Sequence, residues 1–308
     1  MAFLYHADPS RAHRWREVFA AEAPDIPFFS AGDRHDPAAI RYLVIWEAEG
    51  NLAERYPDLE VVFSAGAGTD QFTPAHLPPE VPLVRMVEPG LAAGMAEYVC
   101  AGVLLLHRDL IGYIADQRNG RWNPRPIVPA EQRCVGVMGL GALGMAVLAP
   151  LKALGFRLAG WNRSSRSIEG VETYAGAQER DAFLARCDIL VCLLPLTPET
   201  RGCLNADLFA RLPEGAGIVN VGRGGHLVEA DLLAALDRGR IGGAVLDVFA
   251  QEPLPQEHRF WHHPRVFLTP HMASMTQPEG GARAVIANIR RHRAGEPLLN
   301  RVDRSRGY

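Results

Sequence analysis

At 308 residues the chain exceeds what one hydrophobic core usually supports, so two domains are expected. Its 32 basic and 35 acidic residues leave a net charge of −3, which gives no electrostatic case for nucleic acid or an anionic membrane as partner. No apolar run reads as approaching the roughly 20 residues of a membrane span. The cysteines, at positions 100, 134, 187, 192 and 203, form no C-x-x-C pair, and three of them fall in or beside apolar runs. Free thiols of this kind suit a reducing cytoplasm.

Met1-Ala2-Phe3-Leu4-Tyr5-His6 lacks the basic region and apolar core of a signal peptide and reads as a first strand. Residues 3–6, 42–47, 61–64 and 83–87 are short apolar runs separated by helical or turn segments, a first α/β pattern. Residues 91–117 read as one long apolar bridging helix. The stretch from Trp122 to Pro129 contains Pro124 and Pro126, cannot be helical, and reads as an exposed arm. A second α/β pattern then runs through strands at 134–138, 157–161, 189–194, 217–221, 243–246 and 266–268, with a helix at 142–154. Continuous rather than alternating apolar strands imply parallel sheets covered on both faces, so the expected fold is α/β with two doubly wound domains. The last helix, 278–293, returns to the first domain. No repeat or low-complexity tract is present.

The motif with the clearest chemistry is Gly139-Leu140-Gly141-Ala142-Leu143-Gly144, between the first strand of the second pattern and the helix after it. In a G-x-G-x-x-G turn the first glycine permits the tight turn and the second lets backbone approach a pyrophosphate. The third lets helix pack on strand. The helix N-terminus offers N–H groups and a positive dipole end to the phosphates, so a dinucleotide is the expected ligand. Strands of this kind that bind NAD usually end on Asp or Glu, which accepts from the ribose 2′-OH. Here the strand runs into Trp161-Asn162-Arg163-Ser164-Ser165-Arg166. No carboxylate in that segment repels a 2′-phosphate, and Arg163 and Arg166 can neutralise one. NADPH (NADP+) is therefore the expected cofactor, with NADH a possible one. The alternative is that the two arginines only solvate a βα loop.

Three charged side chains each follow an apolar strand: Arg223, Glu252 and His271. Ligands of open parallel sheets bind beyond the carboxyl ends of the strands, so the three can converge on one crevice. Carbonyl reduction needs this set. A histidine protonates the developing alkoxide, a carboxylate fixes its tautomer, and an arginine fork binds a substrate carboxylate. Taken singly, His271 would be read as structural and Arg223 as a helix cap or surface charge. No metal is called for.

The chain resembles the D-isomer-specific 2-hydroxyacid dehydrogenases along nearly its whole length. The resemblance rests on Ser64-Ala65-Gly66-Ala67-Gly68-Thr69-Asp70, the glycine turn, and Leu193-Leu194-Pro195-Leu196-Thr197-Pro198-Glu199-Thr200. It continues through Asn220-Val221-Gly222-Arg223-Gly224-Gly225, Leu246-Asp247-Val248-Phe249, Glu252-Pro253-Leu254 and Thr269-Pro270-His271. Trp46, Trp161-Asn162-Arg163-Ser164 and the tail from Val302 to Tyr308 are similar to the bacterial glyoxylate/hydroxypyruvate reductase A group.

The resemblance implies a flavodoxin-like substrate domain (1–97 and 275–308) interrupted by a Rossmann-type dinucleotide-binding domain (98–274), with the active site between the lobes. It implies His271 as acid/base, Glu252 as its partner and Arg223 as the substrate-orienting cation. Asp247 would bind the nicotinamide carboxamide, and Leu194, Pro195, Thr200, Val221, Gly222 and Ala273 would line the cofactor site. Trp46 and the backbone N–H groups of Ala67 and Gly68 would meet the substrate, although residues 65–68 also fit a plain strand-to-helix turn. Two departures are Gly222, where the wider family often has Ala, and Asn162, where relatives often have Ser. The implied activity is NADPH-dependent reduction of glyoxylate and hydroxypyruvate to glycolate and D-glycerate. The alternatives are a reductase of a bulkier 2-keto acid, a D-lactate-type dehydrogenase, or a nucleotide-sensing corepressor. Relatives are homodimers, and Trp122 on the arm either crosses the dimer interface or packs within its own subunit.

Overall fold

The computed structural model describes residues 1–73 and 75–304, so the part of the tail read as Ser305, Arg306, Gly307 and Tyr308 lies outside the described residues. The chain divides into two compact units, one comprising Met1–Leu91 and the segment from Met275 onward, the other Ala92–Ser274.

The first unit runs β1 (Ala2–His6), α1 (Ala12–Glu22), β2 (Phe28–Ser30), β3 (Ile40–Ile45), α2 (Leu52–Arg55), β4 (Val61–Ser64) and β5 (Leu83–Val84). Its sheet has the order β2-β1-β3-β4-β5, with every pairing parallel, which is the flavodoxin-like order. Alternate residues serve opposite faces, and both faces are buried. Phe3, Tyr42, Val44 and Phe63 join one apolar cluster with Trp15 and Phe19 of α1, whereas Leu4, Leu43, Ile45 and Val62 join another with Leu52 and Tyr56. Burial on both sides is why these strands read as unbroken apolar runs.

The second unit contains most of α3 (Pro89–His107), then α4 (Leu110–Arg118), β6 (Cys134–Met138), α5 (Ala142–Ala153), β7 (Arg157–Asn162) and β8 (Glu172–Ala175). It continues through α6 (Arg180–Leu184), β9 (Ile189–Cys192), α7 (Ala206–Arg211), β10 (Ala216–Asn220), α8 (Glu229–Asp237), β11 (Ile241–Leu246) and β12 (Val266–Leu268). The sheet order is β12-β11-β10-β9-β6-β7-β8, parallel throughout. Counted from β6 this is the doubly wound dinucleotide-binding order with one strand added, and it reverses between β6 and β9. Val135, Val137, Val191, Val219 and Val245 pack on one face and Met138, Leu190, Cys192, Ile218 and Leu246 on the other. The final helix, α9 (Pro278–Arg293), belongs to the first unit. Proline opens it, where its missing N–H costs nothing, and Arg290, Arg291, His292 and Arg293 close it at the negative end of the dipole.

Three expectations need correction. The single bridging helix is two helices, because Asp109 adopts a left-handed φ of 49° between them. Its carboxylate holds Arg125 and Arg265, each at 2.8 Å, so the break is fixed by ion pairs. Second, α3 has 19 residues and is apolar enough by length and composition to cross a membrane, contrary to the sequence reading. Its Val99 and Val103 are fully buried in a core cluster, and a Cβ on Gly102 would stand 3.2 Å from Val245 on β11, so this face packs on the sheet. Third, β2 and β8 were not read as strands. Both are edge strands, short and without a fully buried residue, and β8 opens on the exposed Glu172.

Leu190, fully buried in the middle of β9, tests the two-faced core. Leu190→Ala is expected to lower the urea midpoint of the second unit's transition by the equivalent of about 2–5 kcal/mol. A loss below about 0.5 kcal/mol, typical of surface positions, would contradict the packing.

Candidate active site

The glycine turn sits at the carboxyl end of β6, on the sheet's switch point. Gly139 has φ +100°, and a Cβ there would lie 2.6 Å from the Leu193 carbonyl oxygen, so the turn and the segment after β9 share the space. A Cβ on Gly144 would fall 1.8 Å from the Gly139 carbonyl oxygen, which is why α5 can start so close to the strand. Nothing lies within 4 Å of a Cβ built on Gly141. The three glycines thus divide into two that packing demands and one that keeps an opening. Gly141 is the N-cap of α5 and no side chain caps it, so the N–H groups of the turn through Ala142, Leu143 and Gly144 have no capping side chain. An open approach beside uncapped N–H groups fits a pyrophosphate.

At the end of β7, Asn162 donates to the Ser164 carbonyl and hydroxyl at 3.3 and 3.4 Å, which turns the chain. Arg163, Ser164 and Arg166 are exposed. Sequence reading found no carboxylate in this segment, but the fold brings one from elsewhere. Glu199 lies within the field of Arg163, and its carboxyl is held below the usual range, first by the Thr197 hydroxyl and least by Arg163. Its distance of 36 positions along the chain hid it.

His271 and Glu252 meet. His271 Nδ1 lies 2.7 Å from Glu252 Oε2, and the other carboxylate oxygen accepts the Phe249 N–H at 2.9 Å. Both side chains are about a third exposed, at 31% and 35%. His271 itself has φ +51°, a conformation that costs a non-glycine residue about 1–3 kcal/mol and persists only where the surroundings impose it. Here they do: its N–H donates to the Asp247 carbonyl at 2.8 Å. The Asp247 carboxylate accepts from the Met272 and Ala273 N–H groups at 2.8 and 2.9 Å and from the Thr269 hydroxyl at 2.7 Å. Asp247 is 2% exposed, so in this structure it holds the loop that carries His271. Tyr98 adds a further link, its hydroxyl 2.5 Å from that of Thr269, and burial pushes its pKa to about 12.

Arg223 is half-buried at the carboxyl end of β10, and its guanidinium donates to the Gly222 carbonyl at 3.0 Å. Two buried polar residues that the sequence reading passed over fix its backbone. Asn220 donates to the Arg223 carbonyl at 3.2 Å, and His226 Nδ1 accepts the Arg223 N–H at 3.0 Å. Asn220 carried a signal, as a polar residue ending an otherwise buried apolar strand, whereas His226, after Gly224 and Gly225, carried none. Gly222, where relatives often carry Ala, has a local reason, since a Cβ there would stand 3.0 Å from the His226 ring. Leu194 and Val221 are buried, while the Thr200 hydroxyl donates to the Pro195 carbonyl at 2.7 Å and so braces the segment expected to line the cofactor.

In the first unit, Trp46 is 45% exposed and its ring covers Gly66, where a Cβ would be 2.7 Å away. The Ser64 hydroxyl donates to the Gly68 carbonyl at 2.8 Å and the Ala65 N–H donates to the Ile45 carbonyl at 2.9 Å. Among the described residues the Ala67 and Gly68 N–H groups have no protein acceptor, the state required of an anion-binding turn.

Residues 100–273 match the family model for the D-isomer specific 2-hydroxyacid dehydrogenase NAD binding domain. The chain is similar to a D-isomer specific 2-hydroxyacid dehydrogenase from Xanthobacter autotrophicus Py2 solved with NADPH and MES, at 39% identity and a TM-score of 0.95, covering 100% of this chain and 99% of that one. It is similar to an NADPH-dependent glyoxylate/hydroxypyruvate reductase from Sinorhizobium meliloti solved with NADP and sulfate, at 41% identity and a TM-score of 0.93, covering 100% of both. A probable 2-hydroxyacid dehydrogenase from Rhizobium etli CFN 42, solved with NADP, HEPES and L(+)-tartaric acid, aligns at 36% identity and a TM-score of 0.89, again over 100% of both.

The glycine geometry separates two effects. Gly141→Ala is expected to leave thermal stability unchanged and to raise the dinucleotide Kd, because its Cβ enters only the open space. Gly144→Ala is expected to lower both stability and affinity. Equal behaviour of the two variants in thermal melts would contradict the division.

Proposed function

This chain belongs to the D-isomer-specific 2-hydroxyacid dehydrogenases, and we propose that it is an NADPH-dependent reductase of small 2-keto acids, glyoxylate and hydroxypyruvate, yielding glycolate and D-glycerate. The observation that carries this reading is the 2.7 Å contact between His271 and Glu252 beyond the strand ends, in a chain similar to a glyoxylate/hydroxypyruvate reductase.

Bound NADPH supplies the hydride; the protein manages the charge that results. His271, as the imidazolium, gives its Nε2 proton to the developing alkoxide and keeps its Nδ1 proton, donated to the Glu252 carboxylate, which stabilises the cation beforehand and fixes the tautomer afterwards. Arg223 holds the substrate carboxylate and polarises the adjacent carbonyl. The family likeness gives Trp46 and the Ala67 and Gly68 N–H groups of the first unit a substrate-binding role. Gly139, Gly141, Ala142, Leu143 and Gly144 take the pyrophosphate, and Leu194, Pro195, Thr200, Val221, Gly222, Asp247 and Ala273 line the rest of the cofactor site. Asn162, Arg163, Ser164 and Arg166 take the 2′-phosphate. The enzyme acts as a homodimer in the cytoplasm. The free state of all the cysteines supports that compartment, and Trp122, 98% exposed on its arm, supports a role in the dimer interface.

His271→Ala is expected to lower kcat for hydroxypyruvate by about a hundredfold to ten-thousandfold with the NADPH Kd unchanged. Near-wild-type turnover would remove the assignment. For the cofactor, Arg163→Ala is expected to raise KM for NADPH about tenfold to a hundredfold, the cost of one hydrogen bond to a charged group, and to leave KM for NADH unchanged. Asn162→Asp should shift the kcat/KM ratio further toward NADH. A wild-type preference for NADH, or a ratio indifferent to both substitutions, would refute the NADPH assignment.

A further inference from the structure

His226 is fully buried, and both of its ring nitrogens face polar partners. Nδ1 lies 3.0 Å from the Arg223 N–H and 3.1 Å from the Arg223 carbonyl, while Nε2 lies 3.2 Å from the Pro195 carbonyl. The Arg223 N–H can only donate, so Nδ1 accepts it and the ring proton sits on Nε2, which donates to the Pro195 carbonyl. The same Pro195 carbonyl takes the Thr200 hydroxyl at 2.7 Å. The turn around the imidazole is packed without slack. A Cβ on Gly222 would meet the ring at 3.0 Å and the Leu194 carbonyl oxygen at 3.2 Å, and one on Gly224 would fall 1.8 Å from the Phe249 carbonyl carbon. Phe249 is the residue whose N–H holds Glu252.

We propose that His226 is a positioning residue, a neutral imidazole that clamps the Arg223 backbone to the Pro195 carbonyl and so fixes the spacing between the substrate-orienting and cofactor-lining segments. The inference rests on the roles given to Arg223 and Pro195 above. It predicts that the two bonds can be separated. Asn at 226 places an amide oxygen near the Nδ1 position and abandons Pro195, whereas Gln reaches Pro195 and abandons Arg223.

The test measures NADPH Kd by fluorescence, without turnover, and kcat/KM for hydroxypyruvate at saturating NADPH. His226→Asn is expected to weaken NADPH binding about threefold to tenfold, the range of one net hydrogen bond, with kcat/KM within twofold of wild type. His226→Gln is expected to show the reverse, and its loss should vanish in an Arg223→Ala background. Proportional loss of both parameters, or wild-type values in both variants, would overturn the clamp. An Arg223→Ala variant with wild-type kcat/KM would instead refute the role of Arg223 in the proposed function and the substrate arm of the clamp with it. The cofactor arm, read as binding alone, stands or falls separately.

Discussion

The hydrogen bond from His271 to Glu252 is the interaction that the loops after β11 and β12 are arranged to hold. Neither residue could hold it alone. His271 is kept in a left-handed conformation by the Asp247 carbonyl, and the residues after it are pinned by the Asp247 carboxylate. Glu252 is kept in place by the Phe249 N–H. A buried carboxylate costs free energy unless its lone pairs are taken, and Asp247 meets that condition by accepting three donors from one loop. The burial cost of one acid is thereby turned into order at the residue two strands' ends share.

The parallel sheet explains why such loops collect where they do. Every strand of the second unit runs the same way, so the turns after β6, β9, β10, β11 and β12 all leave from one edge. Gly139, Pro195, Arg223, Glu252 and His271 each follow one of those strands. This placement was legible in the sequence because burial on both faces leaves strands as unbroken apolar runs, and a polar or glycine residue at the end of such a run stands out. The runs 61–64, 134–138 and 266–268 coincide with β4, β6 and β12, and the last helix coincides with α9.

What escaped the sequence did so for identifiable reasons. β2 and β8 lie at sheet edges and have no fully buried side, so neither hydrophobic signal marks them. The break between α3 and α4 depends on Arg125 and Arg265, the second 156 positions from Asp109. Glu199 reaches the neighbourhood of Arg163 only through the fold. Asn220 stood out at the end of an apolar strand and His226 did not, and the partners of both are backbone groups, which a sequence does not print. The family fold and NADP-type relatives followed from ordered motifs spread along the whole chain, and the similarity over 100% of this chain bears that out.

In the proposed function these strand-end residues form a reductive site for small 2-keto acids. Initial rates of NADPH and NADH oxidation by the wild-type protein against glyoxylate, hydroxypyruvate, pyruvate and phenylpyruvate test it most directly. The expected result is turnover of glyoxylate and hydroxypyruvate with NADPH, and lower kcat/KM for phenylpyruvate and for NADH throughout. Intact NADPH binding with no turnover of any 2-keto acid would contradict it.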